Sequence, residues 1–338
     1  MADRGDKPAI LVISLGGTIA MTPTGEGDGV SPTLDGDDLV AAIEGIGSLA
    51  EIRTLSFERM PGAHLGFDDV IRLAERIRSE SGSVDGVVVT QGTDTIEETA
   101  FALDLLLDGE APVVVTGAMR NPAAVSADGA ANLLGSIRVA ASREARGLGV
   151  VVVINDEVHA ARFVRKTHSS SLAAFSSTPG LLGSISEGVP QIVLRPVNAV
   201  SLPSPPDGTP VPVALITMSL GDDGRMLAAL PELGYGGVVV EALGGGHVQP
   251  PVAGEIERLT DVMPVVFTSR TGRGSALERT YDFDGSELDL RRRGAIPGGW
   301  LNGSKARVLL ALLLRAGAGI EVITATFARF AERPAALA

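Results

Sequence analysis

Two short stretches of this chain set a threonine directly behind glycine at the end of an apolar run. The first is Leu15-Gly16-Gly17-Thr18-Ile19-Ala20, after residues 9–14. The second is Thr90-Gln91-Gly92-Thr93-Asp94-Thr95, after residues 86–89. Glycine lets the backbone approach a ligand and offers its amide as a donor. A phosphate loop is one reading, but the G-x-G-x-x-G spacing and the Walker lysine are both missing. A threonine hydroxyl is a weak nucleophile that needs a base beside it. Candidates for such a relay are Thr93, Asp94 and, beyond Asn155-Asp156, Lys166. Two threonines, a lysine and an aspartate suggest acyl transfer through a threonyl ester. Plainer readings stand beside this one. Thr95 and Glu98 have the T-x-x-E spacing of a capping box. Asp94 also fits an ordinary helix-start acid. Lys166, near Arg162 and Arg165, reads as a solvated basic face unless it is buried or partnered. None of these residues names a substrate.

The elements that must position them follow an α/β rhythm. Apolar runs at residues 9–14, 84–90, 112–116, 149–154 and 191–194 read as strands. Helical spacing lies between most of them. Residues 68–79 put Val70, Ile71, Ala74 and Ile77 on one face, and 96–107 do so with Ala100, Leu103 and Leu107. Residues 130–141 repeat the pattern with Leu133, Leu134, Ile137 and Val139. Such alternation predicts βα repeats and a mainly parallel sheet flanked by helices. Ligands of such sheets bind beyond the carboxyl ends of the strands, where both threonine turns fall. Residues 196–212 break the rhythm with Pro203, Pro205, Pro206, Gly208, Pro210 and Pro212, which predicts a stiff, extended linker. The expected organisation is an α/β fold with a larger N-terminal domain (1–195), that linker, and a smaller α/β C-terminal domain (213–338). The latter has strands near 213–219, 237–242 and 263–269 and a last helix at 302–315. The loop 22–32 is rich in Gly, Pro and Asp and reads as mobile.

Composition excludes several functions. The 338 residues hold 28 Lys+Arg against 41 Asp+Glu, a net charge of −13, which disfavours nucleic acid and anionic membrane as partners. Hydrophobic residues at 45% give the chain enough apolar surface for a sizeable core. With no Cys, thiolate nucleophiles, disulfides and Cys-ligated metals are excluded. The four His show no metalloprotease spacing, so no metal is expected. The polar residues 1–8 lead into an apolar run too short for a signal core or a membrane span, so a cytoplasmic protein is expected.

The sequence resembles the bacterial L-asparaginase family, the asparaginase/glutaminase fold. The matching stretches are LGGTIAM at 15–21, VTQGTDTIEETA at 89–100, 115–133, 155–167 and NGSKARVLL at 302–310. They span nearly the whole chain in the family's order. The pair of threonine motifs is highly specific, with Gln91 standing where many members have His. The resemblance implies hydrolysis of L-asparagine to L-aspartate and ammonia, with some glutaminase activity and no cofactor. It implies that Thr18 is the nucleophile. Thr93, Lys166 and Asp94 would form a second triad, with Asp94 also holding the substrate ammonium. Amides near Thr93 and Ala118 would form the oxyanion hole, usually a large catalytic contribution. The family assembles as homotetramers of tight dimers in which the partner's C-terminal domain completes each site. Counted back from Asn302, Glu287 falls at the family's cross-subunit Glu; from its neighbours alone it would read as a surface acid.

Three departures from the family pattern bear on mechanism. The loop 22–32 lacks the Tyr that many members carry, and Val30 stands near its place. The chain has only Tyr235 and Tyr281. Thr22, Thr24, Ser31 or the Thr93–Lys166 pair acting alone are the candidates to replace it. Gly62-Ala63 replaces a Ser and a polar residue at the expected substrate-carboxylate loop, leaving the Gly62 amide to bind. One lost bond to a charged ligand costs on the order of 1.5–3 kcal/mol, about ten- to a hundredfold in affinity. His247 stands where several members have an Asn from the neighbouring subunit and reads equally as a substrate contact or an interface His. Another amide substrate on the same fold, or an inactive amino-acid sensor, are the alternatives.

Overall fold

The computed structural model describes residues 7–23, 29–197, 200–202 and 208–331. The chain divides into two compact units, Met1–Ser201 and Leu202–Ala338. Of the expected linker, Pro203, Pro205 and Pro206 lie outside the described residues, and residues 208–212 carry neither helix nor strand.

The first unit begins with β1 (Ala9–Gly16), buried along its whole length. A short antiparallel hairpin follows, β2 (Met21–Pro23) with β3 (Val30–Pro32), pairing Thr22 with Ser31 and Pro23 with Val30. Most of the described part of the expected mobile loop is therefore paired strand. Its ends are also tied by the Thr22 and Thr33 hydroxyls, 2.7 Å apart. Thr24 lies outside the described residues. Two short helices, α1 (Gly36–Ala41) and α2 (Ile46–Leu49), lead to β4 (Glu51–Met60). The amphipathic α3 (Phe67–Glu80) precedes β5 (Gly86–Thr90), and α4 (Ile96–Leu106) precedes β6 (Val113–Thr116). Then come α5 (Gly129–Ala141), β7 (Val150–Ile154) and β8 (Glu157–Ala160). The hairpin β9 (Val164–Lys166) with β10 (Phe175–Ser177) stands as its own two-stranded sheet, and β11 (Gly183–Ser186) and β12 (Val189–Ile192) close the unit.

Eight strands form one sheet in the order β12-β11-β8-β7-β6-β5-β1-β4. The run from β4 to β7 is parallel, and β8, β11 and β12 pair antiparallel. Val-rich strands such as β5, β6 and β7 are buried on both faces, as parallel strands covered by helices must be. On one face Leu133 and Ile137 of α5 join Ile10, Val12, Val88, Val114 and Val151 in the core. The run expected at 191–194 behaves differently. It is part of an edge hairpin, β11–β12, and Val193 and Leu194 beyond it are exposed.

The second unit carries a four-stranded parallel sheet, β13 (Val213–Thr217), β14 (Gly237–Ala242), β15 (Val265–Ser269) and β16 (Ile296–Pro297), in that order. The helices are α6 (Arg225–Ala228), α7 (Pro250–Thr260), α8 (Glu287–Arg292), α9 (Gly303–Arg315) and α10 (Ile320–Ala331). Val238, Val240, Val252, Ile256, Phe267 and Leu290 share its core. The helix at 302–315 is not the last. Past Gly317, in a left-handed conformation, α10 adds Ile323 and Phe327 to the buried set.

Candidate active site

Strand register brings the chemical residues together. Gly16 pairs with Met60, Ser14 with Thr90, and Thr90 with Thr116. Four parallel strands thus end level with one another, and the turns after them carry Gly17-Thr18, Gly62-Ala63, Gln91–Asp94 and Gly117-Ala118. Three glycines let these turns touch. A Cβ on Gly17 would lie 2.1 Å from the Gly92 nitrogen, and Gly17 has φ +81° besides. A Cβ on Gly62 would lie 2.8 Å from the Gly92 carbonyl oxygen. No side chain larger than hydrogen fits at either contact. Thr18, Ala63 and Thr93 each follow one of these three glycines and are drawn in with them.

Thr93 is buried and opens a 3-10 turn whose next residue, Asp94, is exposed. Lys166, the last residue of β9, comes in from the separate hairpin. Its Nζ donates to the Thr93 hydroxyl at 2.9 Å and to Asp94 Oδ1 at 2.8 Å. The lysine side chain is 15% exposed. The solvated-face reading of this segment therefore fails. Lys166 is partnered, and Arg162 beside it is also enclosed, pairing with Asp104 at 3.2 Å. Thr18 is half-buried in its own 3-10 turn, Thr18–Ala20, and Ile19 behind it meets the start of α5 at Gly129.

Ala118 is fully buried, and a Cβ on Gly117 would meet the Thr93 methyl at 3.2 Å. The loop that holds Ala118 is braced by two residues sequence reasoning passed over. Asp128 accepts from the Met119 and Arg120 amides, each at 2.9 Å. Asn132 donates to the Gly117 carbonyl at 2.9 Å and accepts from the Asn155 amide at 2.9 Å. The available signal was polar spacing: Asn132 and Ser136 stand four apart, both buried, among the apolar Leu133, Ile137 and Val139 of the same helix. Thr95 departs from its capping expectation. Its hydroxyl makes no cap and instead donates to the Gly62 carbonyl at 2.9 Å. That carbonyl lies within reach because the glycines have already brought the two turns together.

His247 and Glu287 lie in the second unit and are brought to each other. Glu287 is wholly buried, so the surface-acid reading fails. Its Oε1 accepts from the Thr280 and Tyr281 amides at 2.8 and 2.7 Å, and Oε2 stands 3.3 Å from His247 Nε2, off the hydrogen-bonding direction. Burial works against the charged carboxylate, but the Tyr281 and Thr280 amides, the backbone amide of Glu287 itself and, last, His247 outweigh it and hold the pKa below the ordinary value. Tyr281 and Phe283 pack edge-on against the His247 ring at 4.9 and 5.1 Å. Among the described residues no cluster of three or more His, Asp or Glu could hold a metal. No described helix is long and apolar enough to cross a membrane.

This geometry has relatives. Residues 9–197 match the model of the asparaginase N-terminal domain, and residues 212–327 that of the glutaminase/asparaginase C-terminal domain. The chain belongs to the asparaginase family. It is 34% identical to an L-asparaginase of Bacillus licheniformis, covering 90% of this chain and 95% of that one. It is 37% identical to a probable L-asparaginase of Deinococcus radiodurans, over 95% and 97% of the two chains. Among solved structures it is similar to a probable cytoplasmic L-asparaginase from Campylobacter jejuni. There the TM-score is 0.85 and the identity 32%, over 95% of this chain and 99% of that one.

Proposed function

We propose that the protein is an L-asparagine amidohydrolase that forms a threonyl acyl-enzyme and releases L-aspartate and ammonia, with minor glutaminase activity. The observation that carries this reading is Lys166, held between the Thr93 hydroxyl and the Asp94 carboxylate at the ends of the parallel strands. In this reading Thr18 Oγ attacks the side-chain amide carbon. The C–N bond breaks, and the Thr18 hydroxyl proton leaves with the nitrogen as ammonia. Water then attacks the ester, its proton returns to Thr18, and aspartate departs. In this reading the Thr93–Lys166 pair, in contact at 2.9 Å, deprotonates Thr18 and then the water.

In the same reading Asp94, paired with Lys166 yet open to solvent, holds the substrate ammonium. Backbone amides near Thr93 and Ala118 serve as the oxyanion hole, and the amides of Gly62 and Ala63, opening a 3-10 turn, hold the α-carboxylate. Retention of the Thr93–Lys166–Asp94 geometry argues against an inactive sensor. The assembly in this reading is a homotetramer in which a second copy presents its His247–Glu287 pair to the site. Light scattering tests the assembly, and a monomer that is fully active contradicts the sharing. A cytoplasmic location accords with the Campylobacter relative and is tested by cell fractionation. The chemistry is tested by ammonia release from L-asparagine, L-glutamine and D-asparagine side by side. Fast release from L-asparagine supports the reading, and release from none of the three contradicts it.

A further inference from the structure

Thr95 is the last residue of the Thr93–Thr95 turn, yet no step above uses it. Its hydroxyl donates to the Gly62 carbonyl at 2.9 Å and accepts from Gln91 Nε2 at 3.3 Å. Gln91 has no exposed surface, and the same Nε2 also reaches the Gly92 carbonyl at 3.3 Å. A carbonyl only accepts, so the Gln91 amide nitrogen must face it. A nitrogen that only donates then leaves Thr95 oxygen to accept, and the Thr95 proton can point only at Gly62. Gln91 keeps this orientation although its Oε1 is buried with no hydrogen-bond partner. That arrangement is costly, and an apolar side chain would avoid it.

The Gly62 carbonyl receives a second bond from the Leu65 amide at 3.2 Å, so both its lone-pair directions are used. The Gly62–His64 turn has no side-chain cap at its start. Its one side-chain tie to the Thr93 turn, among the hydrogen bonds of the described residues, is Thr95. A binding site made of backbone amides has no rotamer to adjust; its aim is the aim of its turn.

We infer that Gln91 and Thr95 are positioning residues that lock the Gly62–Ala63 turn against the Thr93–Asp94 turn and so set how tightly the substrate α-carboxylate is held. The inference rests on the asparaginase reading. The Thr95 hydroxyl touches none of the reacting atoms, so its loss weakens binding and spares the chemical step.

The test compares wild type with Thr95→Val, Thr95→Ser and Gln91→Leu, each first checked for folding by its melting temperature. KM and kcat for L-asparagine are measured, together with the dissociation constant of L-aspartate by calorimetry, which reports binding without turnover. Thr95→Val is expected to raise both KM and the aspartate constant about tenfold, with kcat within about twofold. Thr95→Ser keeps the hydroxyl and should restore both, and Gln91→Leu should shift them in the direction of Thr95→Val. A folded Thr95→Val with unchanged KM and aspartate constant overturns the inference. So does a fall in kcat at constant KM, or a Thr95→Ser that fails to rescue. Wild type that binds aspartate but releases no ammonia contradicts the functional reading alone, because the aspartate constants still read the coupling. Wild type that does neither overturns both.

Discussion

Lys166 Nζ stands 2.9 Å from the Thr93 hydroxyl oxygen across 73 residues of chain. The lysine comes from a two-stranded hairpin outside the main sheet, and the threonine from the turn after β5. The contact is made by tertiary structure and ties the hairpin to the sheet's carboxyl edge.

Lys166→Met removes the amine and keeps the stem that packs beneath it. Loss of a positioned base is expected to lower kcat by about a hundredfold or more. Lys166→Arg should not rescue, because a guanidinium does not give up its proton. Initial rates of ammonia release measure both, and wild-type-like rates in Lys166→Met would remove the lysine from the mechanism.

The glycine contact makes a sharper structural prediction. Gly17→Ala puts a methyl 2.1 Å from the Gly92 nitrogen at a backbone angle of φ +81°. Overpacking of this kind costs about 1–3 kcal/mol, and the shift falls on the residue before Thr18. Urea melts should show the loss, and activity should fall further than stability alone explains. Gly82→Ala, where a Cβ meets nothing within 4 Å, is the control and should be near neutral.

Asp104 serves stability. Its Oδ1 accepts the Val150 amide at 2.9 Å and its Oδ2 lies 3.2 Å from the largely enclosed Arg162. Asp104→Ala leaves a buried guanidinium without its carboxylate, which should cost about 3–5 kcal/mol in denaturant melts. A change below about 1 kcal/mol would mean that the pair is wet.

Much of this was legible in the sequence, and the rest failed for local reasons. The Val-rich runs and helical faces gave the βα order because burial on both sides demands apolar strands. The threonine motifs marked the turns that meet, because glycine spacing reports close backbone approach. Thr95 was misread because T-x-x-E is a local pattern, whereas the Gly62 carbonyl that claims its hydroxyl lies 33 residues away. The hairpin at Met21 was hidden by turn-forming residues, which mark hairpin loops as readily as mobile ones. The Glu287 environment was invisible because its partners, two amides and a histidine, come from separate segments.

Glu287 should make the stability of the second unit acid-sensitive. Its pKa is depressed in the folded protein below the ordinary 4.5. A depressed carboxyl contributes stability that is fully present above its unfolded value and is lost as pH falls through the folded value. Melting temperature in wild type should therefore drop below about pH 4.5 more steeply than in Glu287→Gln, which is neutral throughout. Parallel profiles would show that the charge contributes nothing.

In the proposed reaction Thr18 carries the acyl group. The most direct measurement is ammonia release from L-asparagine by wild type and Thr18→Ala, with L-aspartate binding followed by calorimetry in both. Wild type is expected to release ammonia rapidly and Thr18→Ala none above background, with similar aspartate affinity in both. Substantial release by Thr18→Ala would contradict that role and move the nucleophile elsewhere.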